Sequence, residues 1–216
     1  MAERLYTIVT ALFCVIVVLS NIIGAKFFEA PFFEEMSLPA GMLTYPLTFF
    51  LADFVTEIYG SKKAKAMVLT AFGMAIVSYG ITKLALLLPN SSRENQAAFD
   101  AVMGVNGLIV FSSLTAYGLS QFLDIRLYTL IHQWTGDRFL WLRNNGSTLI
   151  SQIIDTITVN LLHLYWGLAM DFNAVVKIIL FFYAYKAFFS ILNTPLFYLC
   201  VHWAKSTTKV SYGKVL

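Results

Sequence analysis

The chain has 216 residues, of which 58% are hydrophobic and 12% charged, with a net charge of +3. Its mean hydropathy of +0.71 excludes an ordinary soluble domain, whose surface needs far more charge. The small basic excess is spread over the segments between apolar runs, which excludes a phosphate-binding patch and reads as membrane orientation.

Six apolar runs of membrane length follow one another. Helix 1 is predicted over 5–28 and is read as a retained span, since no small-x-small cleavage site follows it. An acidic stretch with Glu29, Pro31, Glu34, Glu35 and Pro39 leads to helix 2 over 42–59. Gly60 and the cluster Lys62, Lys63 and Lys65 end it, and helix 3 follows over 66–88. A polar loop over 89–106 precedes helix 4 over 107–123. The segment 124–145 reads as a basic loop, helix 5 spans 147–168, and helix 6 spans 174–204. The expectation is an all-α membrane protein, one six-helix domain over 1–216.

Loop charge sets the orientation. Arg4, Lys62, Lys63, Lys65, Arg126, Arg138, Arg143, Lys205, Lys209 and Lys214 fall on one side of the six spans, and Glu29, Glu34, Glu35 and Asp171 on the other. The positive-inside rule then puts both termini of this multi-pass chain in the cytoplasm.

Ionisable side chains inside lipid cost about 3 kcal/mol or more at the bilayer centre, so they face a cavity or a partner. Asp53 and Glu57 share a face of helix 2 at spacing i, i+4. Gln121 and Asp124 stand at i, i+3 on helix 4, and Gln152 and Asp155 repeat that spacing on helix 5. Lys186 lies on helix 6 and Asn21 on helix 1. By helical rise, Asp155 is about 12 Å and Lys186 about 18 Å from opposite surfaces of a core about 30 Å thick, so the two can meet. Glu57 and Asp124 read closer to the inner boundary, where interfacial charge is the competing explanation. Lys26 and Lys83 read as snorkelling, and Cys14 and Cys200 as small apolar residues. The eight candidates for substrate binding are therefore Asn21, Asp53, Glu57, Gln121, Asp124, Gln152, Asp155 and Lys186.

One internal echo is present. Ser120-Gln121-Phe122-Leu123-Asp124 and Ser151-Gln152-Ile153-Ile154-Asp155 both read S-Q-apolar-apolar-D. The chain has no phosphate loop, no HExxH and no GxSxG, so no enzyme, metal or cofactor is expected.

Tyr45-Pro46-Leu47-Thr48 followed by Ala52-Asp53-Phe54-Val55-Thr56-Glu57-Ile58-Tyr59-Gly60 resembles a signature of the queuosine precursor transporter family, also described as vitamin uptake transporters. Trp141-Leu142-Arg143-Asn144 running into Ser151-Gln152-Ile153-Ile154-Asp155-Thr156 is similar to that family's second signature, and Ser20-Asn21-Ile22-Ile23-Gly24-Ala25-Lys26 fits as well. The resemblance implies import of queuine or related 7-deazaguanine bases for tRNA modification by salvage. It implies a fold like the substrate-binding subunits of energy-coupling vitamin importers, working without a dedicated ATPase partner; a homodimer is left open. The rival readings are a vitamin-binding subunit of such an importer and a membrane assembly factor with no solute. A desolvated carboxyl such as Asp53 or Asp155 is a candidate proton carrier, with facilitated diffusion and exchange equally compatible.

Overall fold

The computed structural model describes residues 2–30, 33–89, 96–104 and 107–208. The described chain is almost entirely helical: α1 (Ala2–Ile23), α2 (Tyr45–Leu86), α3 (Gln96–Met103), α4 (Gly107–Thr135), α5 (Leu140–Asn160), α6 (Phe172–Leu192) and α7 (Thr194–Thr208). The surface is apolar. Ile8, Leu12, Val15 and Leu19 of α1, Leu69, Met74, Val77 and Ile81 of α2, and Leu180 and Phe188 of α6 are all exposed. An apolar exterior this extensive is the mark of a protein solvated by lipid.

The all-α expectation needs one amendment. The acidic stretch after α1 forms an antiparallel hairpin of β1 (Phe27–Ala30) and β2 (Phe33–Pro39), pairing Phe27 with Pro39 and Glu29 with Ser37. Helix 1 therefore ends at Ile23, short of the expected Phe28. A turn of 3-10 helix, Ala40–Thr44, returns the chain to α1. The approach is tight at Gly41: a Cβ there would lie 2.7 Å from the Ser20 carbonyl and 3.2 Å from the Gly24 Cα. Ser20 and Thr44 join their hydroxyls across this contact.

Residues 45–59 and 61–86 are two arms of one helical element broken at Gly60, whose φ of 81° and ψ of 168° suit only glycine. The chain reverses there. The Tyr59 hydroxyl donates to the Ala2 carbonyl and the Tyr6 hydroxyl to the Lys63 carbonyl. At the other end of α1, Val18, Asn21 and Ile22 line a cavity together with Ala75, Ser78, Tyr79 and Thr82. Both arms thus run along α1 in opposite directions. The lysines expected in a loop lie in the first turns of the second arm, where Lys63 pairs with Glu3.

Three further boundaries differ from expectation. The predicted loop over 124–145 is helix on both sides of a turn at 136–139, because α4 runs on to Thr135 and α5 starts at Leu140. Helix 5 ends at Asn160 and passes through a wider turn at Leu161–Tyr165. Helix 6 is two helices, broken at Asn193 just before Pro195, which has no N–H to give the helical ladder. The polar loop over 89–106 contains α3, with 90–95 and 105–106 outside the described residues.

Among the described residues, three helical segments are long and apolar enough by themselves to cross a membrane: Ala2–Ile23, Ala40–Leu86 and Phe172–Leu192. Helix α5 misses that standard for a physical reason. Every one of the ten buried residues of α5 is polar: Arg143, Asn144, Asn145, Ser147, Thr148, Ser151, Gln152, Asp155, Thr156 and Asn160. Ile150, Ile153, Ile154 and Ile157 face outward. The helix is amphipathic in the inverted sense, with its polar face toward the protein and its apolar face toward lipid.

Candidate functional site

The polar face of α5 meets α2, α4, α6 and α7 in three layers. At the end nearest the α4–α5 turn, Glu57 is fully buried and receives Arg143 in a two-pronged contact, Nη2 to Oε1 at 2.8 Å and Nε to Oε2 at 3.1 Å. Lys205 of α7 adds a third contact at 2.6 Å, and the Tyr128 hydroxyl donates to Oε2 at 3.0 Å. Arg143 also donates to the Gly136 carbonyl at 2.7 Å and so ties down the turn. Arg143 and Lys205 are therefore not the loop and tail charges that the orientation argument used; a planar guanidinium matched to a carboxylate lets Arg143 enter the protein. Glu57 is likewise enclosed by the protein.

The middle layer holds the acids Asp53 and Asp124. Thr148 of α5 donates to Asp53 Oδ2 at 3.1 Å, and Ser151 donates to Asp124 Oδ1 at 2.9 Å. The two carboxyls lie within hydrogen-bonding reach of each other. Asp124 is fully buried.

About a turn further along α5, Asp155 receives Lys186 of α6 at 2.7 Å and the Ser120 hydroxyl of α4 at 3.1 Å. Lys186 also donates to the Thr156 hydroxyl at 3.2 Å and sits 3.9 Å from the centre of the Tyr45 ring. The opposing depths of Asp155 and Lys186 on α5 and α6 meet here as an ion pair. From Arg143 to Asp155 the three layers extend about 18 Å along α5, more than half of a bilayer core.

The S-Q-apolar-apolar-D echo acquires a structural meaning. Ser120 of α4 donates to Asp155 of α5, while Ser151 of α5 donates to Asp124 of α4. Two antiparallel helices carrying the same motif thus exchange hydroxyl-to-carboxylate bonds reciprocally. The glutamine of each motif is left over. Both amide atoms of Gln121 and the Oε1 of Gln152 are buried without a partner, and so are Asp53 Oδ1 and Asp124 Oδ2. An unmet buried polar atom costs about 1–3 kcal/mol, so five of them on these four residues are costly.

A narrow crevice reaches this cluster between Pro46, Phe49, Phe50, Asp53, Thr148 and Gln152, with Asn144, Ser190 and Asn193 completing its wall. Its free volume of about 10 Å³ has room for about one water. A larger solute requires the surrounding helices to part.

Seven of the eight candidates thus lie in one connected core. Asn21 does not: its side chain bonds its own helix at the Val17 carbonyl and borders the separate cavity between α1, the second arm of α2 and α3. Residue-by-residue reading passed over Tyr45, Ser120, Tyr128, Arg143, Thr148, Ser151, Thr156 and Lys205 as site groups. Serine and threonine carry no hydropathy alarm, and only the repeated serine of the echo marked two of them. Among the described residues no cluster of three or more histidine, cysteine or acidic side chains could hold a metal.

Residues 39–200 match the family described as "Putative vitamin uptake transporter", which takes in all three layers apart from Lys205. The chain belongs to that family. It is a family of transporters, not enzymes. Two curated relatives are similar. The "Probable queuosine precursor transporter" of Bacillus subtilis (strain 168) is 35% identical over 118 residues, 54% of this chain and 52% of the relative. The "Queuosine precursor transporter" of Escherichia coli (strain K12) is 26% identical over 121 residues, 54% of this chain and 51% of the relative. The chain spans about half the length of the curated relatives it matches. No solved structure is significantly similar to it.

Proposed function

We propose that this transporter imports queuosine precursors, 7-deazaguanine bases such as queuine, across the bacterial inner membrane for salvage into tRNA. The observation that carries the reading is the set of unpartnered buried atoms on Asp53, Gln121, Asp124 and Gln152, of which Asp53 and Gln152 line a crevice with aromatic walls. A guanine-like edge presents two adjacent N–H donors and one carbonyl acceptor. A carboxylate accepts both donors together, and a glutamine amide donates to the carbonyl. Phe49 and Phe50 border the crevice and offer flat apolar surface to a planar ring. The names of the two curated relatives support the same substrate class.

The chain passes the membrane six times in this reading, with α1, the two arms of α2, α4, α5 and the α6–α7 pair as spans and both termini in the cytoplasm. The reversals at Gly60 and at 136–139 and the lysine-rich start of the second arm of α2 support that topology. Transport needs no ATPase partner.

The test is thermal unfolding of the purified protein against a panel of purines, 7-deazapurines and vitamins. A ligand at 100 times its Kd adds about 2.7 kcal/mol of stability, a shift that is easily measured. Stabilisation by 7-deazaguanines is expected. Stabilisation by a vitamin alone, or by no member of the panel, would sink the assignment.

A further inference from the structure

The middle layer has a charge imbalance that the other two lack. Glu57 is neutralised by Arg143 and Lys205, and Asp155 by Lys186. Among the described residues no ion pair reaches Asp53 or Asp124, although both are almost completely buried and face each other. Two like charges in contact inside a protein repel, and one of them must be cancelled for the pair to persist.

The hydrogen bonds show where the cancelling charge belongs. Each carboxyl spends one oxygen on a hydroxyl of α5: Asp53 Oδ2 on Thr148 and Asp124 Oδ1 on Ser151. Each keeps its other oxygen, Asp53 Oδ1 and Asp124 Oδ2, buried and without a partner. Because the two carboxyls are within hydrogen-bonding contact, a single hydrogen between them can serve both. Gln121, one turn before Asp124 on α4, also has both amide atoms buried without a partner, a second sign of room for a guest in this core.

We propose that Asp53 and Asp124 share one proton, and that this proton is the cation carried along with the solute. The second clause rests on the importer reading above; the first stands without it. Loading breaks an O–H bond of hydronium from one side of the membrane and forms one on the pair. Release on the other side returns the proton to water, and nothing else is consumed. Asp53 lines the crevice and Asp124 does not, so a proton held on Asp124 and donated to Asp53 leaves the crevice-facing carboxyl as the acceptor that a solute's N–H groups need.

The charged and titratable groups around the pair leave this assignment intact. Glu57 of α2 and Tyr128 of α4 flank it on one side, with Arg143 of α5 and Lys205 of α7 already committed to Glu57. Asp155 of α5, Tyr45 of α2, Tyr117 of α4 and Lys186 of α6 flank it on the other, with Lys186 committed to Asp155. On α1, Cys14 lies by Tyr117.

Infrared spectroscopy of the full chain in nanodiscs tests the shared proton without any solute. At neutral pH a carboxylic-acid carbonyl band that shifts in D2O is expected, lost in both Asp53→Asn and Asp124→Asn and retained in Asp124→Glu. Thermal unfolding confirms that the variants are folded. Absence of the band, or its survival in both asparagine variants, overturns the shared proton. Proteoliposomes then test the carriage with a radiolabelled 7-deazaguanine base and an imposed pH gradient. About tenfold accumulation per pH unit is expected for one proton per solute, abolished by a protonophore. Uptake that ignores the pH gradient, or that follows a sodium gradient at equal pH, overturns the carriage. Failure of any base to enter at all, with the infrared band present, refutes the substrate reading while leaving the shared proton standing.

Discussion

The two S-Q-apolar-apolar-D motifs have the same residues and make the same reciprocal serine contacts, yet their aspartates live in opposite electrostatic surroundings. Asp155 faces Lys186, which enters from α6, and the two form a neutral ion pair braced by Thr156 and the Tyr45 ring. Asp124 faces Asp53, which enters from the first arm of α2. A local repeat has therefore been divided into a closed half and an open half by what the neighbouring helices supply. Holding a carboxylate still takes only a hydroxyl from the facing helix. Whether that carboxylate is spent on structure or left available depends on the sign of the next charge.

Substitutions at matched positions break or sharpen this contrast. The largest effect is expected at Asp155→Asn, which strands Lys186 in the interior; a loss of about 3–5 kcal/mol of stability is typical of an orphaned buried charge. Thermal unfolding in detergent measures it, and uptake should fall to background in cells where the protein still reaches the membrane. The pair Asp155→Asn with Lys186→Met should recover most of the stability. An Asp155→Asn protein as stable as the parent would refute the neutral-pair account.

Gln121→Leu should act in the reverse direction. It removes two buried amide atoms that have no partner, so stability should rise by about 1–2 kcal/mol while base binding weakens at least tenfold. Calorimetric titration alongside unfolding separates the two responses. Retained affinity would show that the amide does not touch the base.

Ser120→Ala and Ser151→Ala form the matched control. Each deletes one hydroxyl-to-carboxylate bond, and each should cost about 1 kcal/mol. Similar values for both would support the reciprocal geometry; a cost at one position only would break the equivalence of the two halves. The smallest stability change is expected at Asp124→Asn, within about 1 kcal/mol of the parent, because no cation is orphaned. A loss there as large as that at Asp155→Asn would mean that Asp124 has a cationic partner after all.

Much of this arrangement was legible in the sequence, though unevenly. Apolar runs of about 20 residues announce a membrane protein because hydrocarbon tolerates little else. Asp53, Gln121, Asp124, Gln152, Asp155 and Lys186 stood out because each is expensive where it lies. Arg143 escaped notice because an arginine beside two asparagines and a glycine reads as loop. Only Glu57, 86 residues away along the chain, makes its burial tolerable. The break at Asn193 and the extension of α4 to Thr135 were hidden because helix ends depend on local capping and packing, which apolarity does not report.

By itself the sequence determined the solvent of this protein, the inward face of its helices and the inventory of buried charge, since burial cost and helical period are local properties. The tertiary structure decided the pairing. Among the described residues it gave Glu57 two cations, Asp155 one and the Asp53–Asp124 pair none, because which charges meet depends on how α2, α5, α6 and α7 pack across long stretches of chain. The motif repeated on α4 and α5 became a closed half and an open half only when those helices came together.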